Sequence, residues 1–126
     1  MQGKELAHHI AQLILDKKGY DVVILDLQGL TSATDYFVIC SVDSDVQAKA
    51  IIGHVKDDLI YETIKPWHTE GTSSSNWILM DFVDVVVHVF HPETREFYSL
   101  ERLWGDAQVT EIKDEDESTG IHQTEH

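Results

Sequence analysis

Residues 76–91 read NWILMDFVDVVVHVFH, and the fold turns on how that stretch is divided. Two apolar runs, 76–82 (NWILMDF) and 84–91 (DVVVHVFH), are broken only around Val83 and Asp84. This predicts two strands joined by a tight turn into an antiparallel hairpin. Side chains alternate between the faces of a strand. Ile78, Met80 and Phe82 therefore share one side, and Trp77, Leu79 and Asp81 share the other. The first side is a core face. The second, with its Trp, Leu and Asp, suits a partly exposed surface able to bind.

Upstream, 21–27 (DVVILDL) is nearly continuous in apolar, β-branched residues, as a strand covered on both faces tends to be. Gln28–Thr34, with Gly29, Thr31 and Ser32, predicts a loop, and 35–42 (DYFVICSV) a second strand. Residues 3–18 predict a first helix. Leu6, Ile10, Leu13 and Ile14 recur at helical spacing, with Gly19 as C-cap. Ser44, with Gln47 three residues on, forms a capping-box pattern that opens a second helix. Its core face is Ala48, Ile51, Ile52, Val55 and Leu59, and it ends near Glu62, ahead of Pro66. Residues 66–70 suit a short edge strand, and 71–75 (GTSSS) a turn-rich, mobile connection. Downstream, Pro92 opens one or two short helical turns over 92–104 (PETREFYSLERLW). The whole is an α/β arrangement, one domain with a mixed sheet and helices packed on it. That domain is expected to span 1–107. Residues 108–126 lose the apolar period and are expected to form an acidic, disordered C-terminal tail.

The chain has 126 residues and a net charge of −14. Setting aside residues 106–126 still leaves 16 acids against 8 bases. An acidic body argues against nucleic-acid backbones and anionic membrane surfaces, both of which need Lys and Arg. It favours a basic protein partner. Cys40 is the one cysteine, so no intramolecular disulfide can form, which fits a reducing compartment. The opening MQGKELAHHIAQLI lacks a signal-peptide pattern, and no run approaches the roughly 20 apolar residues of a membrane span. The expected location is cytoplasmic.

Eight histidines invite a metal site, but their spacing does not support one. His88 and His91 point to opposite faces of a strand, and His8 and His9 diverge on a helix. There is no HExxH and no Cys/His framework, so no metal is expected. His88, between Val87 and Val89, is expected to be half-buried and hydrogen-bonded. Asp26, Asp35, Asp43, Asp45, Asp81 and Asp84 sit at strand ends and turns, where capping and turn formation account for them. No GxSxG, P-loop or GxGxxG is present, so no catalytic residue or cofactor is expected. What stands out is aromatic density. Six of the eleven aromatics lie between Trp77 and Trp104, interleaved with Arg95, Glu96, Glu101 and Arg102, the composition of an interface hot spot. Phe90 and Phe97 are expected to fill the core.

The strings DVVILDLQGLTSATDYFVIC (21–40) and WILMDFVDVVVHVFHPETREFYSLERLWGDA (77–107) closely resemble the ribosomal silencing factors of the Iojap family, over about Lys4 to Ala107. The resemblance implies a nucleotidyltransferase-like α/β domain with no known transferase activity, and hence not an enzyme. It implies binding to the large ribosomal subunit through ribosomal protein L-fourteen, at the face that meets the small subunit. Translation would then be repressed under nutrient limitation by blocking subunit association. Relatives in organelles assist biogenesis of the large subunit. On this reading Trp77 is the apolar anchor and Leu79 lies beside it. Asp81 and Asp84 meet Lys or Arg of the partner, with His88, Arg95, Tyr98 and Trp104 nearby. An exposed apolar face or open strand edge would also let two copies pair as a homodimer off the ribosome. The alternative is a residual nucleotidyltransferase or nucleotide-binding protein using Asp43 and Asp45 with Mg²⁺. No glycine precedes Ser41 or Ser44, so the backbone turn that would approach a phosphate lacks support.

Overall fold

The computed structural model describes residues 1–71 and 76–113. The chain runs α1 (Gly3–Asp16), β1 (Tyr20–Asp26), β2 (Tyr36–Ser41), α2 (Asp45–Ile60), β3 (His68–Glu70), β4 (Trp77–Asp81), β5 (Val85–Phe90), α3 (Pro92–Tyr98), α4 (Leu100–Leu103) and β6 (Gln108–Ile112). One six-stranded sheet has the order β3-β4-β5-β2-β1-β6. The hairpin forms where the sequence places it, with β4 antiparallel to β5 and Leu79 opposite His88. Among the described residues the β2–β5 pair is the single parallel one, so the sheet is mixed. That pair is made possible by α2, which carries the chain across the sheet between β2 and the β3–β5 segment.

Helices cover both faces. α1 and α2 bury Leu6, Ile10, Ile14, Ile51, Val55 and Leu59 against Val38, Cys40, Met80, Val87 and Val89. On the other face α4 and the chain after it close a smaller core. It contains Val23, Leu25, Leu27, Ile39, Phe90, Leu100 and Ala107. β5 is buried along its whole length, which is why its sequence is an unbroken apolar run around one histidine.

The helix ends use the expected residues in altered roles. α1 closes through paired bonds from Lys18 N–H to the Leu15 carbonyl and Gly19 N–H to the Ile14 carbonyl, the Schellman arrangement. Its left-handed residue is Lys18 (φ 68°), not Gly19. Gly19 is needed for space, because a Cβ there would collide with Ile14 Cγ2. At α2, Ser44 Oγ accepts from Gln47 N–H at 3.1 Å. Gln47 Oε1 reaches back to Asp43 N–H at 2.8 Å, one residue further than in a standard capping box. Gln47 Nε2 also donates to the Lys18 carbonyl at 2.7 Å, tying the start of α2 to the end of α1.

One boundary needs correction. Gln108–Ile112, assigned to the disordered tail from sequence, form β6 and pair antiparallel with Val22–Asp26 of β1. The strand lies at the sheet edge and is mostly exposed, so it carries no apolar period to betray it. Ladder hydrogen bonds to β1 hold it, helped by Ile112 packing at the margin of the larger core. Both the connection 72–75 and the tail from 114 onward lie outside the described residues.

Candidate docking face

Strand register assembles the predicted surface row by row. Residues paired across a ladder point to the same face. One row therefore runs Glu70, Leu79, His88, Ile39, Val23 and Glu111. The next runs His68, Asp81, Val86, Phe37, Leu25 and Val109. Trp77 opposes Phe90, which opposes Ser41, in a third. α4 roofs the half of this face built by β1 and β2. On the β4 side Leu79 and Asp81 remain partly exposed, as does Phe37 on β2. The surface is thus a shallow aromatic and aliphatic patch with a carboxylate at one end.

Trp77 is half-buried and pinned from several sides. Its ring stacks on Phe90 at 4.8 Å and meets Tyr98 at 4.7 Å. Its indole N–H donates to His88 Nδ1 at 3.1 Å. An indole can only donate, so Nδ1 of His88 is the acceptor and the neutral ring carries its proton on Nε2. That Nε2 is buried with no hydrogen-bond partner among the described residues. Phe37 lies edge-on to the imidazole at 4.4 Å, and burial pushes its pKa down to about 4. His88 is therefore buried rather than half-exposed. It can set the position of Trp77 but cannot itself touch a partner.

The remaining predicted residues separate into surface and scaffold. Asp81 Oδ1 accepts from Val83 N–H at 2.7 Å and so shapes the hairpin turn, while staying partly exposed. Asp84 is partly exposed, and its carbonyl receives the N–H groups of Asp35 and Tyr36 at 3.0 Å each. Val83 between them has φ 76°, a strained conformation for a β-branched residue. Tyr98 is half-exposed. Trp104 packs against the smaller core and meets Phe37 edge-on at 6.3 Å. Arg95 is a correction. Its guanidinium turns inward, donating to the Asp21 carbonyl (2.7 Å), Ser41 Oγ (2.9 Å) and Glu101 (3.0 Å). With a side chain only 11% exposed, it fastens α3 to the sheet rather than facing a partner.

Phe97 is a second correction. It is 79% exposed, not core, because α3 buries none of its residues. Phe37 belongs to the patch and is not among the residues predicted from sequence; Val86 lies buried beneath it. Phe37 could have been found from alternation, since it shares a face with Ile39 in β2.

Asp43 and Asp45 are drawn into structural contacts. Asp43 Oδ1 accepts from Tyr20 OH at 2.7 Å, a bond that helps push the phenol up to about 12. Asp45 Oδ1 lies 3.0 Å from His91 Nε2. Among the described residues no three His, Cys, Asp or Glu side chains converge as a metal site, and no helix is long and apolar enough to cross a membrane.

The family model described as "RsfS: Ribosomal silencing factor during starvation" matches residues 1–126. The chain is 39% identical over 112 residues to the ribosomal silencing factor RsfS of Bacillus subtilis, covering 89% of this chain and 95% of that protein. It is also 33% identical over 112 residues to the chloroplastic protein Iojap of Arabidopsis thaliana, covering 89% of this chain and 47% of that one. Among solved structures, a Chromobacterium violaceum protein superposes with a TM-score of 0.79 at 32% identity, covering 90% of this chain and 95% of that one. A Bacillus halodurans protein gives 0.75 at 35% identity, covering 87% and 100%.

Proposed function

Because this chain belongs to the family of ribosomal silencing factors, we propose that it docks its open sheet face on ribosomal protein L-fourteen of the large subunit. Occupying that site blocks joining of the small subunit and represses translation when nutrients are short. The observation that carries this reading is the face itself. Trp77, Leu79 and Phe37 form a partly exposed apolar patch on β4 and β2, floored by the buried Val86 of β5 and ended by Asp81, on a protein of net charge −14. An apolar centre with an acidic margin is complementary to a basic protein and repels RNA. Function by occupancy needs no catalytic group, and Asp43 and Asp45 already serve the fold. Off the ribosome the same patch is available to a second copy, so a homodimer would compete with docking.

Sedimentation of ribosomal subunits with added protein tests the proposal. The wild type should travel with large subunits and reduce the joined-ribosome peak. Leu79→Arg and Asp81→Lys change the exposed part of the patch without touching the Trp77–His88 bond. Each should weaken co-sedimentation about tenfold or more, the scale of a central interface residue. Co-sedimentation of both folded variants at wild-type levels would place docking elsewhere.

A further inference from the structure

Beside the sheet face lies an open groove of about 390 Å³ between the start of β4 and α3, lined by Asn76, Trp77, Glu93, Thr94, Phe97 and Tyr98. We propose that this groove receives a single arginine side chain of the docking partner. The inference rests on the docking reading above and specifies what the partner must present.

Three rings form the wall. Trp77 and Tyr98 lie 4.7 Å apart between centroids, and Phe97 meets Tyr98 edge-on at 5.1 Å. Trp77 cannot swing away, because Phe90 backs its ring and His88 holds its N–H. Glu93 stands one helical turn before Phe97 and lines the same groove. Aromatic faces attract a cation, and a carboxylate at their edge pairs with it. An apolar guest would bury the Glu93 carboxylate against nothing. An anionic guest would meet that charge directly. A guanidinium suits both parts, since it stacks flat on rings and offers a two-pronged donor to a carboxylate. The 79% exposure of Phe97 is then the unfilled wall of a binding groove, and the overall charge of −14 favours a cationic guest.

Two measurements decide it. In an NMR titration, the N-acetyl, N′-methylamide derivatives of arginine, lysine and norleucine are added to the full chain. The arginine probe should move the Trp77 indole signal and bind at least about threefold tighter than the norleucine probe, with Glu93→Gln and Phe97→Ala each weakening it about threefold to tenfold. Glu93 and Phe97 are exposed, so both variants should fold. Equal binding of norleucine and arginine, or no response to Glu93→Gln, overturns the proposal. In the second measurement, Glu93→Lys is sedimented with large subunits. If the wild type binds and Glu93→Lys binds equally, the groove is idle while the docking reading stands. If the wild type does not bind, the docking reading fails and the titration still judges the groove. Self-association of the wild type that Phe97→Ala abolishes would make a second copy the occupant and also overturn it.

Discussion

His88 sits at the centre of the proposed docking face yet contributes no surface to it. Its value is positional, since it accepts the Trp77 indole N–H and fixes the ring from beneath. Burial depresses its folded pKa to about 4, against an ordinary 6.5. In that interval the unfolded chain binds a proton that the folded chain does not. Stability from this residue is therefore complete above about pH 6.5 and declines as pH falls, by about 1.4 kcal/mol per unit. Urea unfolding at pH 7 and pH 5 should show this loss in the wild type. It should be largely absent in His88→Gln, whose side-chain oxygen can still accept from Trp77. A parallel pH response in the two proteins would remove His88 as its source. Val83 is a second residue held at a cost, a β-branched side chain at φ 76° in the hairpin turn. Val83→Gly should raise stability by about 0.5–1 kcal/mol, by relieving strain that exceeds glycine's entropic penalty. Alternation in the sequence was enough to put Trp77, Leu79 and Asp81 on one face. It could not show that the indole bonds to a histidine eleven positions away, because that contact depends on the β4–β5 register.

Among the elements, α3 and β6 were the least legible, for opposite reasons. α3 contains aromatics that look like core residues, but it buries none of them. Arg95 is a principal tie of this helix, joining it to the sheet through Asp21 and Ser41 and to α4 through Glu101. Arg95→Ala leaves those acceptors unpaired and should cost about 2–3 kcal/mol. Hydrogen exchange in α3 should speed up more than in α2, and uniform change across both helices would contradict a local fastening. β6 lacks the apolar pattern of a strand because it is an exposed edge whose partner is the β1 backbone. A chain ending at Ala107 should accordingly unfold at lower urea than one ending at Lys113. Both lack the same later residues, so the difference reports on β6 alone. By contrast α1, α2, β1, β2 and the hairpin were legible, because each has one or two buried faces that impose a period on the sequence.

At the level of the whole molecule, charge was legible from composition and sheet order was not. The parallel β2–β5 contact joins segments on either side of α2, and nothing local in either strand specifies it. It follows from covering both faces of the sheet while keeping β5 central. Charge acts over a longer range than any of these contacts. On the proposed function a net of −14 would draw a basic protein in from beyond the proposed docking face, and salt screens such an attraction with a Debye length of about 10 Å at 0.1 M. Association with isolated ribosomal protein L-fourteen should slow about tenfold between about 0.05 and 0.5 M salt, with a smaller change in dissociation. Ending the chain at Lys113 leaves 18 acids against 9 bases, a net of −9. This chain keeps the whole patch, so its association rate should depend less steeply on salt while its dissociation rate stays the same. Stopped-flow measurements on both chains separate the two effects. If shortening the chain changed dissociation and left the salt slope intact, the acidic end would act by contact rather than by field.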